Sequence, residues 1–423
     1  MPMRQTKHSL KLFNTMTRKL EPFTPSGNKR VKMYTCGPSI YMLPHIGNHR
    51  TFIFEDLLQR YLEYSGYNVT RLITVTDIED KAMAEADVER ISWKKLTESN
   101  TEKFLQDLKL LKIVFPTYVA KSSTSIDQAG TIIRALLTKG YAYWHKHERR
   151  RNVYYDPLKF GHFGKLARLD MNKWPTRKRR FHMDTYPGTP WNRGDFILWH
   201  GYRPGDKVLW NTKIGEGRPS WNVQDAAMIT KHLGPRVDIA CGAVDNLVRH
   251  HDYTIAVAES FTGKRLARYW LHAKHLLVNG KKMSKSKGNI IYPEDLIRKG
   301  YTTSHVRFAL MSKHYRESLN FTIERLEKIS RKLDAFRGTV NSIRNAKTAT
   351  TPSKEAGILA REIITKFEMY MNHDLDVNTA FEAIFRIVSR LGRLAQHGRL
   401  SPKDSSLAIA YLRRIDEVLQ VIF

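Results

Sequence analysis

The sequence has only two cysteines, Cys36 and Cys241, among its 423 residues. Two thiols cannot build the disulfide framework of a small secreted domain, so we expect reduced cysteines and a cytoplasmic location. The chain also lacks the uninterrupted run of about eighteen apolar residues that a membrane span requires. No internal repeat or long low-complexity tract is present. We therefore expect a globular chain that stays in water and is long enough for two or three domains.

Acidic residues are scarce relative to basic ones, with 41 Asp and Glu against 71 Lys and Arg and a net charge of +30. Such an excess points to an anionic partner, and nucleic acid is the usual one because neutralised phosphates release counterions. A generally basic proteome or an adaptation for solubility is the alternative. The basic N-terminus has no apolar core of a secretory signal. It reads either as a transit peptide or, because LKLFNTMT alternates, as a first strand, and we favour the strand.

The opening third of the sequence alternates between strand and helix patterns. Residues 31–36 (VKMYTC) read as a strand, apolar residues from Ile53 to Leu62 recur at helical spacing, and residues 69–75 (VTRLITV) read as the next strand. This βαβ pattern predicts a parallel sheet in an α/β fold. Ligands of such sheets bind beyond the carboxyl ends of the strands, where Cys36 and residues 76–80 are expected.

The remaining sequence suggests an insertion, a second half of the sheet and a helical bundle. Residues 236–240 and 273–278 read as strands that close the sheet around a helix at 250–259, and the pattern is helical after Thr322, with a linker at 348–354. We predict four parts: 1–115 (first half of a Rossmann-like catalytic domain), 116–219 (insertion), 220–318 (second half) and 319–423 (α-helical bundle).

A basic run at 173–180 (KWPTRKRR) lies in the predicted insertion, next to the aromatic residues Trp174 and Phe181. The run, and the helix-like stretch TIIRALLTKGYAYW before it, could contact the phosphates of an RNA end. The run could equally be a solvated loop, and the sequence does not decide between the two.

Three separated segments carry the chemistry: CGPSIYMLPHIGN at 36–48, DIACGAVD at 238–245 and KMSKS at 282–286. In this order they resemble the signature of class I aminoacyl-tRNA synthetases. Segments along nearly the whole chain, such as VTDIEDK, LLVNGKKMSKSKGN and LDVNTAFEAI, resemble the cysteinyl-tRNA synthetase family. The resemblance implies an ATP-dependent ligase that forms an aminoacyl-adenylate, with an amino acid and an RNA, most simply tRNA, as partners. Magnesium is expected with the ATP, although no protein ligand can be assigned to it.

Activating a carboxylate with ATP requires fixed donors and cations around phosphates whose negative charge grows as pyrophosphate leaves. The resemblance assigns this catalytic role to His45, Asn48, Lys282 and Lys285. It assigns nucleotide contacts to four further residues, which are Gly47, Asp245, Ser284 and Ser286. His45 and Asn48 are expected at the start of a helix, where free backbone N–H groups would also hold phosphates. The lysines are expected in a loop that closes over the leaving group.

The sequence departs from the family where cysteine would be recognised. The family is expected to bind the substrate thiolate through a zinc ion with four protein ligands, of which Cys36 and His250 are kept here. Asp225 stands in place of a cysteine, and Thr254 in place of a glutamate. A zinc ion on Cys36, Asp225 and His250 therefore remains an open possibility. Cys241 could add a sulfur to a rebuilt site, although packing is the simpler role for a buried cysteine.

We expect an amino-acid pocket lined by Cys36, Trp221, Asp225, His250 and Thr254. An unpaired buried carboxylate would be costly unless a positive group met it. From this reasoning we predict that the substrate is a small or cationic amino acid other than cysteine.

Two further functions remain open. A ligase similar to mycothiol ligase would transfer the aminoacyl group to a small amine, and a catalytically silent paralogue would bind RNA or another partner. The intact HIGN and KMSKS segments favour an enzyme. The segment LDVNTAFEAIF resembles the bundle that follows the family's catalytic domain, and we expect no terminal anticodon-reading module after it.

Overall fold

The computed structural model describes residues 9–147, 150–173, 194–284, 287–346 and 349–423. Most of the basic run with Trp174 and Phe181, the first residue of the expected linker, and both Lys285 and Ser286 lie outside the described residues. The predictions made for them stay predictions.

A five-stranded parallel sheet forms the centre of the catalytic region. Its strands are β3 (Arg30–Thr35), β4 (Asn68–Val75), β5 (Tyr118–Lys121), β11 (Val237–Ala243) and β12 (Ala267–Ala273). The strand order is β12-β11-β3-β4-β5, so β3 is paired with the strand that follows it on one side and with a distant strand on the other. The connections therefore diverge at the carboxyl end of β3, which is where doubly wound sheets bind their ligands.

The two faces of the sheet are covered by separate hydrophobic cores. Val31 and Met33 point into one core, which contains the helix after β3 and continues into the C-terminal helices. Tyr34 and Cys36 point into the other core. This alternation follows from the period of two residues in a strand and places Tyr34 and Cys36 on the same side of the sheet.

The other strands form three further sheets. The first is the pair β1 (Lys11–Asn14) and β2 (Lys19–Pro22), which confirms the predicted first strand. The second is antiparallel and belongs to the insertion, with β6 (Ala142–His147), β7 (Arg150–Tyr155), β8 (Phe196–Gly201), β9 (Trp210–Thr212) and β10 (Gly215–Pro219). The third contains β13 (Leu276–Val278), β14 (Lys281–Lys282) and β15 (Leu319–Phe321).

The described residues also form twelve α-helices. They are α1 (Ile46–Tyr64), α2 (Asp80–Val88), α3 (Trp93–Leu110), α4 (Ile126–Thr138), α5 (Trp221–His232), α6 (Asp252–Thr262), α7 (Pro293–Arg298), α8 (Thr303–Met311), α9 (Ile323–Arg344), α10 (Lys354–Met371), α11 (Val377–Gln396) and α12 (Pro402–Leu419). A π-helical turn, Leu247–His251, leads into α6. The helical pattern predicted after Thr322 is confirmed by α9, in which Leu326, Leu333, Phe336, Val340 and Ile343 are buried. The predicted α/β sheet followed by a helical bundle is confirmed.

One predicted strand was wrong. Residues 273–278 were expected to close the parallel sheet, but β12 closes it and β13 belongs to a different sheet. Lys274 and His275 interrupt the pattern because the Arg50 guanidinium on α1 donates to both of their carbonyl oxygens, at 2.6 and 3.1 Å.

The domain limits given above remain a proposal, which the sheet pairing refines at one point. Strand β5 lies inside the range assigned to the insertion, yet it pairs in parallel with β4 at the edge of the central sheet. We therefore propose that the insertion begins after α4 rather than at residue 116.

A buried ion pair between α1 and α8 lies where the sheet domain contacts the helical bundle. Arg307 on α8 contacts the carboxylate of Asp56 on α1, and both side chains are fully buried. The same guanidinium donates to the carbonyl oxygens of Leu111, which follows α3, and Leu419, at the end of α12. Burial raises the pKa of Asp56, but Arg307 and Arg60 more than offset this, so the pKa lies below its ordinary value.

We predict that Asp56→Asn lowers the free energy of unfolding by about 3–5 kcal/mol, because it leaves the buried Arg307 charge without a counter-ion. The exposed Glu98, paired with the exposed Lys94, provides the matched control. Glu98→Gln should change the stability by less than about 1 kcal/mol. Urea unfolding measures both variants.

The Asp56 effect should also depend on pH. Because the folded-state pKa is depressed, the stabilisation is present at neutral pH and is lost as the pH falls below the unfolded-state value of about 3.9. The difference between wild type and Asp56→Asn should therefore shrink in acid. An equal difference at neutral and acid pH would contradict the assignment.

Candidate active site

The chain leaves β3 through a tight turn that positions the first motif. A Cβ atom on Gly37 would lie 1.7 Å from the carbonyl oxygen of Thr74 in β4, so only glycine allows this approach. The pairing continues past the sheet, since Thr76 N–H donates to Pro38 O and Ile40 N–H donates to Thr76 O. The segment between Cys36 and α1 is thereby held at the carboxyl edge of the sheet.

His45 is the N-cap residue of α1. Its Nδ1 accepts hydrogen bonds from the backbone N–H groups of Gly47 and Asn48, at 3.1 and 3.3 Å. The Asn48 side chain reciprocates by accepting from the His45 backbone N–H at 3.0 Å, which completes a capping box. Burial is the main cause that lowers the pKa of His45 to about 4, with smaller contributions from His49 and Lys282.

These contacts define the chemistry of the imidazole. Because Nδ1 is an acceptor and the ring is neutral at physiological pH, the proton resides on Nε2. His45 therefore presents one oriented Nε2–H donor. The geometry allows His45 to cap α1 and to donate to a ligand at the same time.

The expectation that free N–H groups at the start of α1 hold phosphates was wrong. Gly47 and Asn48 give their N–H groups to the His45 ring, and the Ile46 N–H donates to Ile291 O at 2.9 Å. The helix terminus is thus satisfied by protein acceptors. Side chains must supply the donors for any anion bound here.

The KMSKS segment reaches the first motif from β13 and β14. The Cε atom of Met283 lies 2.8 Å from the position that a Cβ of Gly47 would occupy, so Met283 packs directly on the turn of the HIGN segment. Lys282 Nζ lies 2.7 Å from Asp245 Oδ2, and His275 Nε2 lies 3.1 Å from Asp245 Oδ1. The backbone N–H of Ser284 donates to Asn289. Of the predicted nucleotide-site residues, His45, Gly47, Asn48, Asp245, Lys282 and Ser284 are therefore in adjacent segments.

A second group of side chains lies on the other side of Cys36. Trp221 and Asp225 are one turn apart on α5, and His250 comes from the π-helical turn before α6. The His250 ring stacks on Trp221 with centroids 5.4 Å apart. Ligand-type atoms of Cys36, Asp225 and His250 all lie within 4.8 Å of one another. The structure thus brings together four of the five predicted pocket residues.

The premise that Asp225 is unpaired was wrong. His250 Nε2 lies 2.6 Å from Asp225 Oδ2, and the buried Tyr34 hydroxyl donates to the same oxygen at 2.7 Å. Burial raises the pKa of Asp225, but His250 and Tyr34 lower it below its ordinary value. Burial lowers the pKa of His250, but Cys36 and Asp225 raise it well above its ordinary value. The two side chains form an ion pair.

The structure also shows where Thr254 and Cys241 lie. Thr254 is buried on α6, and its hydroxyl donates to the backbone oxygen of His250 at 2.9 Å. Cys241 is fully buried in the core on the opposite face of the sheet from Cys36. It therefore packs in that core and cannot join the cluster around Cys36.

Sequence reasoning missed Tyr34 and Asn246. Tyr34 holds Asp225, and Asn246 Nδ2 donates to Cys36 Sγ at 3.1 Å. The alternation of β3 places Tyr34 on the same side as Cys36 and could have identified it. No sequence signal pointed to Asn246, because its role depends on the turn after β11.

Comparison with known proteins identifies related chains. The family model for the class I (C) tRNA synthetase catalytic domain matches residues 22–331. A cysteine–tRNA ligase of Chlamydia pneumoniae is 36% identical over 416 residues, covering 98% of this chain and 86% of the relative. One from Koribacter versatilis is 35% identical over 417 residues, covering 98% of this chain and 82% of the relative.

Solved synthetase structures share the fold at low sequence identity. The Mycobacterium tuberculosis methionyl-tRNA synthetase bound by methionyl-adenylate has a TM-score of 0.69 at 13% identity, covering 94% of this chain and 92% of that one. The LeuRS of an Agrobacterium radiobacter ternary complex with tRNA has a TM-score of 0.69 at 11% identity, covering 95% and 85%. Among the helices of the described residues, none combines a bilayer-crossing length with the required apolar character. The chain belongs to the cysteinyl-tRNA synthetase family of class I aminoacyl-tRNA synthetases and is an ATP-dependent ligase.

Proposed function

We propose that this synthetase activates an amino acid other than cysteine as its adenylate and transfers it to tRNA. The observation that carries the proposal is the packing of Met283 on Gly47, which brings the lysine-bearing segment onto the helix that His45 caps. The amino-acid pocket adjoins this place through Cys36. Activation and amino-acid binding thus share one edge of the sheet.

The side chains fit the charge that develops during adenylate formation. Negative charge grows on the phosphates as pyrophosphate leaves, and donors fixed in advance stabilise it at little reorganisation cost. His45 supplies one such donor, because the cap fixes its ring and its tautomer. Magnesium would accompany the ATP and offset part of the phosphate charge.

Lys282 supplies a mobile positive charge beside this fixed donor. In the structure its Nζ pairs with Asp245, with 62% of the Lys282 and 46% of the Asp245 side chain exposed. An exposed pair of this kind contributes little stability, so exchanging the carboxylate for a phosphate costs little. We propose that Lys282 leaves Asp245 to bind the departing pyrophosphate.

The amino-acid pocket supports a substrate other than cysteine. The family's selectivity is expected to come from a bond between zinc and the substrate thiolate. Here Asp225 and Thr254 stand at two of the four expected ligand positions, and Asp225 is bonded to His250 and Tyr34. The pairing also removes the physical reason for a cationic substrate, since Asp225 already has its positive partner.

The net charge of +30 supports an RNA acceptor over a small amine. An exchange assay between ATP and pyrophosphate, run across the amino acids, tests activation, and addition of total tRNA tests transfer. We expect exchange with one amino acid or a few, and acylated tRNA with the same ones. Exchange driven best by cysteine would contradict the proposed substrate, and exchange with no amino acid would contradict the enzyme.

The two roles of His45 can be separated by two substitutions. His45→Asn keeps an N-cap acceptor but removes the Nε2–H donor, whereas His45→Ala removes both. Both variants should reduce the rate of exchange by roughly 10²–10³, the usual cost of one transition-state donor. Only His45→Ala should also lose about 1 kcal/mol of stability. Exchange at the wild-type rate in His45→Asn would show that His45 serves only as a cap.

Lys282→Ala should lower the rate of exchange more than it raises the KM for ATP, because its contact with phosphate strengthens as pyrophosphate departs. Lys281 precedes it in β14 and is also exposed, so Lys281→Ala is the matched control and should behave like wild type. Steady-state exchange kinetics measure both variants. Equal losses in the two variants would indicate a general charge effect rather than the proposed contact.

A further inference from the structure

The cluster of Cys36, Asp225 and His250 contains the residue types of a metal site, so its geometry can be tested against one. A tetrahedral zinc holds nitrogen and oxygen ligands at about 2.0–2.2 Å, which separates two such ligand atoms by roughly 3.4 Å. His250 Nε2 and Asp225 Oδ2 are 2.6 Å apart. This is the length of a charge-assisted hydrogen bond and is too short for two ligands of one ion.

Two of the atoms that a metal would use, Asp225 Oδ2 and Cys36 Sγ, already accept from protein donors, whereas the buried Asp225 Oδ1 has no hydrogen-bond partner among the described residues. The Tyr34 hydroxyl donates to Asp225 Oδ2 at 2.7 Å, and Asn246 Nδ2 donates to Cys36 Sγ at 3.1 Å. Thr254 offers only a hydroxyl, which donates to the backbone oxygen of His250 in the π-helical turn before α6. The donor set does not fit the expected zinc.

We propose that the Asp225–His250 ion pair, held by Tyr34, occupies the structural place of a metal ion, so that the pocket binds an amino acid with an uncharged side chain without a metal. The substrate class follows from charge. Asp225 and His250 contribute one negative and one positive charge at hydrogen-bond distance, and the side chain of Asp225 is only 1% exposed. A charged substrate side chain would have to break this pair or remain without a counter-ion, and both are costly in a buried site.

Trp221 and Cys36 are also suited to an uncharged substrate side chain. The indole ring stacks on His250 and on Tyr253, with centroids 5.4 and 6.1 Å apart, which offers an apolar wall. The Cys36 sulfur is buried, and its Sγ lies within 4.8 Å of the ligand-type atoms of Asp225 and His250. An uncharged side chain can be bound here by packing and by weak hydrogen bonds to the thiol.

The inferred substrate class rests on the proposed function, whereas the inferred absence of a metal does not. A metal assay therefore tests the absence of a metal by itself. The full-length protein is dialysed against zinc, freed of unbound metal and measured for zinc by mass spectrometry. Cobalt(II) serves as a spectroscopic probe, because thiolate ligation gives it a charge-transfer band. We expect far less than one zinc per chain and no thiolate band. A tightly held zinc near one per chain would overturn the proposal.

Restoring the two replaced ligands should create the site. We expect Asp225→Cys combined with Thr254→Glu to bind about one zinc per chain and to show the cobalt–thiolate band, because it supplies a Cys2HisGlu set. The matched control is Asp225→Ser with Thr254→Gln, which has similar size without strong ligands. Failure of a folded Cys/Glu variant to bind zinc would contradict the assignment of metal loss to these two positions. If the variant does not fold, the wild-type assay still decides.

The substrate part has its own readout in the exchange assay. Uncharged amino acids should drive exchange at least tenfold better than lysine, arginine, aspartate or glutamate. Best exchange with a charged amino acid would overturn the substrate class while leaving the proposed activation intact. If no amino acid drives exchange, the proposed function is contradicted. The zinc measurement does not depend on that outcome.

Discussion

The close approach of Gly37 to Thr74 is the constraint on which the rest of the active site depends. A side chain at residue 37 would collide with the carbonyl oxygen of Thr74, so the turn after β3 can form only with glycine there. The turn leaves Cys36 against the pocket on one side and leads the chain to His45 on the other. Two sites with different chemistry are thereby fixed relative to each other by a single strand end.

The two sites use charge in opposite ways. At the proposed nucleotide site, the charged partners Lys282 and Asp245 are exposed and can separate at low cost, whereas His45 is held neutral in one orientation. In the pocket, Asp225 and His250 are joined at 2.6 Å and Asp225 is buried, so their separation is expensive. A charged side chain that can exchange its partner suits a step in which a leaving group departs. A buried ion pair whose two charges cancel suits the selection of an uncharged side chain.

The local sequence pattern was sufficient to predict the framework of strands and helices, but it did not predict which distant residues pair. The strands around Met33 and Ile73 and the apolar stripe of α9 follow from periodicity, which neighbouring residues determine. The strand predicted at 273–278 failed because Arg50, more than two hundred residues earlier, binds the carbonyl groups of Lys274 and His275. The pairing of Asp225 was hidden for the same reason, since its partners lie in β3 and before α6. Resemblance identified the residues at this site, but only the fold shows which of them satisfy one another.

The central claim is that His45 and Lys282 converge on one triphosphate at the carboxyl edge of the parallel sheet. A crystal structure with a non-hydrolysable ATP analogue and magnesium tests it most directly. We expect phosphate oxygens within about 3.2 Å of His45 Nε2 and Lys282 Nζ, with the Lys282–Asp245 pair opened. A nucleotide bound elsewhere, or one bound here with both side chains turned away from its phosphates, would contradict it.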